Sequence, residues 1–158
     1  MKTLIPASIF FMLLCLISCK QSNEHQVIGE QADTVAVQSN ECYLAVYESD
    51  TVNLKLNRLN DNTITGDMQM KISGEPVKIG SIAGSFRGDT LFADYTFILG
   101  ENKGRTFKNP IALLKKDSLL IFGNGKIETN MGASYFSKST PIDFDRVKYK
   151  FSPVDCTK

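Results

Sequence analysis

The feature that most constrains the fold is a two-residue alternation of apolar and polar side chains from Cys42 onward. In residues 63–72, every second residue from Ile64 is apolar or glycine, and the residues between them are polar. Successive side chains of a strand point to opposite faces, so this pattern predicts strands with one buried and one solvated face. The alternation also occurs at 52–57 and 146–151, whereas no segment after Cys42 carries a sustained helical stripe.

Turn-forming residues separate these stretches. An Asp followed by Thr or Ser and then an aliphatic residue recurs at 50–52, 89–91 and 117–119. Asp tolerates the backbone of a tight turn, and the residues after it favour a strand. Segments 91–99 and 119–122 are apolar on both faces, which is typical of covered strands. The sequence therefore predicts an all-β domain, an antiparallel β-meander of about eight strands that forms a small lipocalin-like barrel or a curled sandwich.

The start of the chain has the composition of an export signal. Lys2 is the only charged residue before Lys20, and the residues between them are almost all apolar. The apolar run is shorter than the about 20 residues that span a bilayer, which favours a secretory signal over a transmembrane helix. Its end, residues 16–19 (LISC), resembles the lipobox of bacterial lipoprotein precursors. That resemblance implies that residues 1–18 are removed and that an acylated Cys19 anchors the protein to a membrane.

Residues 19–41 are predicted to form a flexible tether that begins with the lipidated cysteine. From residue 20 the segment is rich in Gln, Asn, Ser and Glu, has no aromatic residue and shows no sustained period. Such a sequence buries too little apolar surface to offset its chain entropy. The predicted organisation is a signal helix at 1–18, the lipidated cysteine and tether at 19–41, an all-β domain at 42–156 and a tail at 157–158.

Lipoprotein processing changes the cysteine count. Cys15 lies in the signal peptide and Cys19 would carry lipid, which leaves Cys42 and Cys156 near the ends of the folded part. In an oxidising envelope compartment this pair is expected to form a disulfide. In the chain-entropy model, closing a loop of roughly 100 residues stabilises a protein by about 4–5 kcal/mol. The alternative, a reduced pair of metal ligands, lacks a nearby His and a CxxC spacing, so no metal or cofactor is predicted.

Several short phrases occur in order along the domain. They are Cys42-Tyr43, TITGD at 63–67, GDTL at 88–91, ADYTF at 93–97, LKK at 114–116 and Asp155-Cys156. In this order they resemble a group of small lipoproteins of Bacteroidota to which no activity is assigned. The resemblance spans most of 42–156 and implies a lipid-anchored β-domain in the cell envelope. Members often carry a charged patch after the tyrosine strand, which 100–105 (GENKGR) matches only loosely.

Candidate catalytic residues are few. A nucleophile system needs a base beside the nucleophile, and the only histidine, His25, lies in the tether. A carboxylate pair from separate strands stays open, with Asp94 and Glu101 as candidates, because Asp94 interrupts an apolar strand. The alternative for Asp94 is an outward position paired with a lysine across the strand. We therefore expect a protein that is not an enzyme, with a periplasmic hydrolase as the alternative.

The leading functional hypothesis is an envelope lipoprotein that binds a small apolar ligand or an envelope protein. A barrel of this size can hold a small ligand in its mouth. The candidate wall residues, which core packing explains equally well, are Met68, Met70, Phe86, Phe97 and Phe122. A structural or inhibitory lipoprotein that docks on another envelope protein is a further alternative.

The predicted location is the outer membrane, reached through the lipid anchor. Some enterobacterial lipoproteins are retained in the inner membrane by an Asp after the acylated cysteine, and this chain has Lys20 there. Surface-export signals of Bacteroidota place acidic residues after such a lysine, whereas residues 21–24 read QSNE. The periplasmic and the surface face therefore both stay open. Nucleic acid is not an expected partner, because the net charge is +1 and there is no basic stripe.

Overall fold

A computed structural model describes residues 36–156, and these form a closed antiparallel barrel of eight strands with a separate two-stranded hairpin. The predicted all-β barrel of about eight strands is thereby confirmed. The predicted signal peptide, Cys19, the predicted tether as far as residue 35, and residues 157–158 lie outside the described residues. The strands are β1 Val37–Tyr47, β2 Asp50–Leu59, β3 Thr63–Lys71, β4 Lys78–Arg87, β5 Thr90–Leu99, β6 Asn102–Lys116, β7 Leu119–Phe122, β8 Ile127–Asn130, β9 Ala133–Phe136 and β10 Lys150–Val154.

The barrel is a meander with one excursion. Strands β1 to β7 each pair with the next in the chain, and β10 closes the barrel between β7 and β1. Between β7 and β10 the chain leaves the barrel for residues 123–149, which contain the hairpin of β8 and β9. Within residues 36–156 there is no helix long and apolar enough to cross a membrane.

Strand β1 begins upstream of the predicted domain boundary at Cys42. Val37 pairs with Leu59, and residues 39–41 continue the ladder with β2. Residues 37–40 are nevertheless exposed. A polar strand segment that buries no side chain has the same composition as a linker. The alternation of apolar and polar residues therefore becomes visible only from about Cys42, where side chains of β1 begin to be buried.

The interior is filled by side chains from every barrel strand. Alternate residues of β2 and β3 point inward, as their two-residue pattern predicted, and Phe151 of β10 is fully buried. The buried core consists of Tyr43, Ala45, Val52, Leu54, Leu56, Ile64, Met68, Ile82, Leu91, Ala93, Tyr95, Phe97, Ile111, Leu113, Leu120 and Phe151.

Tight closure depends on glycines at inward positions of β4. A Cβ atom at Gly80 would lie against the carbonyl oxygen of Thr96, and one at Gly84 against that of Phe92. The missing side chains let the backbones of β4 and β5 approach closely, which favours the strong bending of a small barrel.

The predicted disulfide between Cys42 and Cys156 is present and confirmed, with the two Cα atoms 5.2 Å apart. It links β1 to the chain just beyond β10. Only three residue pairs join β10 to β1, starting at Cys42 and Val154. The covalent bond therefore reinforces a short closing ladder of the barrel, and the ladder of β10 with β7 has only two residue pairs.

Candidate functional site

The barrel has two unlike ends. At the turn end, short connections at 60–62, 88–89 and 117–118 join the strands. At the loop end, the connections are 48–49, 72–77, 100–101 and the long excursion 123–149. The chain enters the barrel at the turn end, because Val37 pairs with Leu59, the last residue of β2.

The turn end is covered by paired side chains. The guanidinium of Arg58 lies 5.2 Å from the ring centroid of Phe86, which packs on the core. The hydroxyl of Tyr43 donates a hydrogen bond of 2.6 Å to Oε2 of Glu41. Burial, with this acceptor, raises the pKa of Tyr43 above its usual range. The core at this end is therefore shielded from water.

At the loop end the core reaches the surface. The inward apolar side chains that are only partly buried there are Met70, Leu99, Phe107, Phe122 and Tyr149. The rings of Phe122 and Tyr149 meet edge to face at 6.4 Å, and Phe122 lies 6.3 Å from the buried ring of Phe151. A continuous aromatic cluster thus runs from the core to solvent.

A pocket of about 320 Å³ opens beside this cluster. Phe122, Gly123, Asn124 and residues 146–149 line it. Phe122 and Tyr149 supply aromatic surface, and the cations of this stretch supply positive charge. The volume lies near the lower limit of ligand pockets, about 300 Å³, which suits a single ring or a short chain.

Asp50 holds Tyr149 in place. Asp50 is only 8% exposed, and its Oδ2 atom accepts a 2.8 Å hydrogen bond from the hydroxyl of Tyr149. Its Oδ1 atom accepts a 2.9 Å bond from the backbone N–H of Ser73. The Ser73 N–H and the Tyr149 hydroxyl keep the pKa of Asp50 below its usual value. Burial and the bond to Asp50 raise the pKa of Tyr149 to about 12. The charged carboxylate of Asp50 therefore connects the start of β2 with the 72–77 loop and, through the neutral Tyr149, with the 123–149 excursion.

Two cations at the loop end sit on aromatic rings. Nζ of Lys148 lies 5.6 Å from the ring centroid of Tyr47, and the guanidinium of Arg105 lies 4.8 Å from that of Phe107. Neither cation takes part in an ion pair among residues 36–156. Both therefore keep hydrogen-bond donors that no carboxylate of the described part of the chain occupies.

A larger concavity of about 640 Å³ lies on the outer wall of β2, β3 and β4 beside the end of the chain. Outward polar residues such as Asn53, Lys55 and Gln69 line it. Tyr43, its one aromatic lining residue, is part of the buried core. This surface also exposes the apolar side chains of Ile79 and Val154, but it has no exposed aromatic ring. Because ligand pockets are typically lined by aromatic as well as apolar side chains, the loop-end pocket with its two rings is the stronger candidate.

The predicted wall residues are not all in one place. Met68 and Phe97 are 1% and 7% exposed and belong to the core. Phe86 lies at the turn end, whereas Met70 and Phe122 share the loop end. Of the five, only Phe122 lines the loop-end pocket.

Tyr149 and Lys148 were not among the residues that the sequence predicted as a site. The alternation at 146–151 placed them on opposite faces of one predicted strand. The observed strand begins only at Lys150. The one available signal was a tyrosine at an inward position of the last predicted strand.

The structure separates the predicted carboxylate pair. Asp94 points outward, and its Oδ2 atom lies 2.8 Å from Nζ of Lys108 on the neighbouring strand, which confirms the outward, lysine-paired reading. Glu101 is an exposed residue of the 100–101 turn. The strand from Asp94 to its end at Leu99 alone spans about 17 Å, whereas glycosidase carboxyl groups lie about 5–9.5 Å apart. The two residues are therefore not brought together.

Within residues 36–156, no group of three or more His, Cys, Asp or Glu is placed to hold a metal ion. In comparisons with known proteins, no family model, curated protein or solved structure matches the chain significantly.

Proposed function

We propose that this protein is a lipid-anchored envelope lipoprotein whose barrel binds a small, largely apolar ligand in the loop-end pocket without transforming it. The observation that carries the proposal is the aromatic pair Phe122 and Tyr149, which lines a pocket at the end where the core is uncovered. Exposed apolar surface is unfavourable in water by about 25 cal/mol per Å². A ligand that covers these rings would recover that free energy.

The direction of the chain supports an anchored binding module. Residue 36 leads into β1 at the turn end, opposite the pocket. An acylated Cys19, as the lipobox resemblance implies, would attach the membrane to that end and leave the loop end accessible. We place the protein at the outer membrane, on the periplasmic or the surface face.

The chemistry around the pocket favours binding over catalysis. A general base needs a lone pair that can reach a substrate and a pKa near the working pH. Both oxygens of Asp50 already accept hydrogen bonds, and its pKa is lowered. The raised pKa of Tyr149 makes this hydroxyl a poor base at neutral pH. A hydrolase based on Asp94 and Glu101 is the weaker proposal, because the two carboxylates lie apart.

A direct test uses 2-phenylethanol, a neutral probe with a single ring. The full chain with Cys19→Ser, which removes the lipid, is titrated and followed by ¹H–¹⁵N correlation spectra. We expect saturable shifts at Gly123, Lys148 and Tyr149. Phe122→Leu should weaken binding, while the matched change Phe86→Leu at the turn end should not. Absence of saturable shifts at the loop end, or shifts confined to the outer groove, would overturn the proposal.

Docking on another envelope protein is a second candidate, and the β8–β9 hairpin favours it. Met131 at the hairpin tip is fully exposed, with a φ of 50°, in the left-handed region that favours glycine and asparagine. A strained, exposed apolar residue adds nothing to the barrel and would become useful by entering a partner's pocket. Met131→Asn should stabilise the fold while abolishing cross-linking of the hairpin to an envelope protein in cells. Cross-linking that is unchanged in this variant would argue against docking.

A further inference from the structure

We infer that the loop-end pocket selects ligands with a negatively charged head, a carboxylate or a similar anion, attached to a single ring or a short chain. This inference rests on the proposed function and adds the chemical class of the ligand. Its basis is the placement of Lys148 and Arg146 in the lining of a pocket that also contains Phe122 and Tyr149.

Among residues 36–156, no carboxylate lies within ion-pair distance of Lys148. Its ammonium group lies over the Tyr47 ring, and no ion pair among residues 36–156 includes it. Its charge acts on the carboxylate of Asp50. Asp50 is buried and uses its two oxygens for Tyr149 and Ser73. Lys148 is therefore a cation held at the pocket with its hydrogen-bond donors available.

Arg146 adds donors at the same pocket. Its Nε donates to Oδ2 of Asp143 at 2.7 Å, and Oδ1 of Asp143 accepts the backbone N–H groups of Asp145 and Arg146. These bonds fix the local turn and occupy one of the five N–H donors that a guanidinium carries. The Arg146 side chain is 90% exposed, so its terminal nitrogens remain accessible.

The carboxylates around the pocket do not touch Lys148. Asp143 pairs with Arg146 at 2.7 Å, and the oxygens of Asp50 accept hydrogen bonds from Tyr149 and Ser73, although the charge of Asp50 still acts on Lys148. Hydrogen bonds between charged partners are shorter and stronger than neutral ones. An anion beside Lys148 would complete an ion pair that the protein lacks, while an attached ring covers the aromatic wall.

Three probes with the same ring separate charge from apolar contact. They are phenylacetate, 2-phenylethanol and 2-phenylethylamine, which are anionic, neutral and cationic at pH 7. We expect phenylacetate to bind about 10-fold more tightly than 2-phenylethanol, the ratio for one charge-assisted hydrogen bond over a neutral one, and the amine most weakly. The ratio should shrink as salt rises, because the site is partly exposed.

Variants assign the preference to a residue. Lys148→Gln in the full chain with Cys19→Ser should remove the preference, so that phenylacetate and 2-phenylethanol bind this variant with equal affinity. The matched control is Lys126→Gln, since Lys126 is an exposed lysine paired with Glu128 at 3.5 Å and does not line the pocket. Unchanged amide spectra establish that both variants fold.

The possible outcomes distinguish the inference from the proposed function. Equal binding of phenylacetate and 2-phenylethanol, tighter binding of the amine, or a preference that survives Lys148→Gln overturns the inference and leaves the apolar pocket standing. Acetate that binds as tightly as phenylacetate also overturns it, because the ring would then contribute nothing. If none of the ring probes binds at the loop end, the proposed function fails as well.

Discussion

The two ends of this barrel differ in how the same core meets water. At the turn end, Arg58 covers Phe86, and Tyr43 bonds to a neighbouring glutamate. At the loop end, Phe122 and Tyr149 line an open pocket, and Lys148 beside them joins no ion pair among residues 36–156. Both ends contain an aromatic residue packed on the core. At the turn end the polar side chain of Arg58 covers the ring of Phe86, whereas at the loop end Lys148 lies beside Phe122. Only the loop end leaves an open pocket next to its aromatic ring.

The lengths of the closing strands explain the difference. Strands β7 and β10 have 4 and 5 residues, whereas β6 beside them has 15. The wall is therefore incomplete toward the loop end, and the chain crosses the gap with the excursion 123–149. Part of that segment covers the outer wall, since a Cβ atom at Gly123 would meet Ile142 and Phe144. This cover accounts for the burial of Ile121, which faces outward, and for the doubly apolar segment at 119–122.

The largest expected effect belongs to the disulfide. Replacing Cys42 and Cys156 together with serine should lower the free energy of unfolding by about 2–5 kcal/mol, the usual loss for a native disulfide in a small domain. Urea denaturation measures this change. If the disulfide only stabilises the closure of the barrel between β1 and β10, the variant should bind 2-phenylethanol with unchanged affinity at temperatures well below its melting temperature. A parallel loss of affinity would show that the loop end depends on the covalent closure.

Replacing one aromatic residue at each end of the barrel with alanine tests the difference between the turn end and the loop end directly. Phe86→Ala and Phe122→Ala should each lower the free energy of unfolding by about 3 kcal/mol, the lower limit for buried phenylalanines, because both rings are only partly buried. Denaturation curves and probe titrations are measured on both variants. Only Phe122→Ala should lose probe binding. Loss of binding in both variants, or in neither, would contradict a functional difference between the ends.

A smaller effect is expected from the hydroxyl of Tyr149. Tyr149→Phe removes the donor to Asp50 and should lower the free energy of unfolding by about 1 kcal/mol. Tyr135→Phe on the exposed hairpin is the matched control and should change little. Thermal denaturation of the two variants gives the comparison. Equal melting temperatures would mean that the bond to Asp50 does not fix the loop end.

Acid should weaken the loop end through Asp50. Because the folded-state pKa of Asp50 is lowered, its contribution to stability is fully present above the unfolded value, about 3.9, and is lost as pH falls through the lower folded value. Asp50→Asn removes this contribution. We therefore expect melting temperatures of the variant to fall less than those of the wild type between pH 4 and pH 2.5. Parallel curves would exclude Asp50 as a source of the acid sensitivity.

Local periodicity made much of the fold predictable. The alternation at 63–72 corresponds to β3, and its apolar members do face the core. For Asp94 the sequence left a catalytic role and an outward, lysine-paired position open, and the ion pair with Lys108 confirms the outward position. The start of β1 was not predictable, since residues 37–40 pair with β2 but bury nothing. The lipobox and Cys19 remain predictions of the sequence alone.

The sequence by itself determined which residues of β2 and β3 face inward, because a two-residue period assigns each side chain to a face. The pairing of Cys42 with Cys156 was an expectation that depended on the predicted processing of Cys15 and Cys19. Only the tertiary structure decided which inward residues are core and which are site. Met68 and Met70 share one strand face, yet Met68 is buried and Met70 lies at the loop end, because a two-residue period carries no information about distance from the rim. Asp50 and Tyr149 are 99 residues apart. They meet because β10 closes the barrel against β1, a contact that no local pattern encodes.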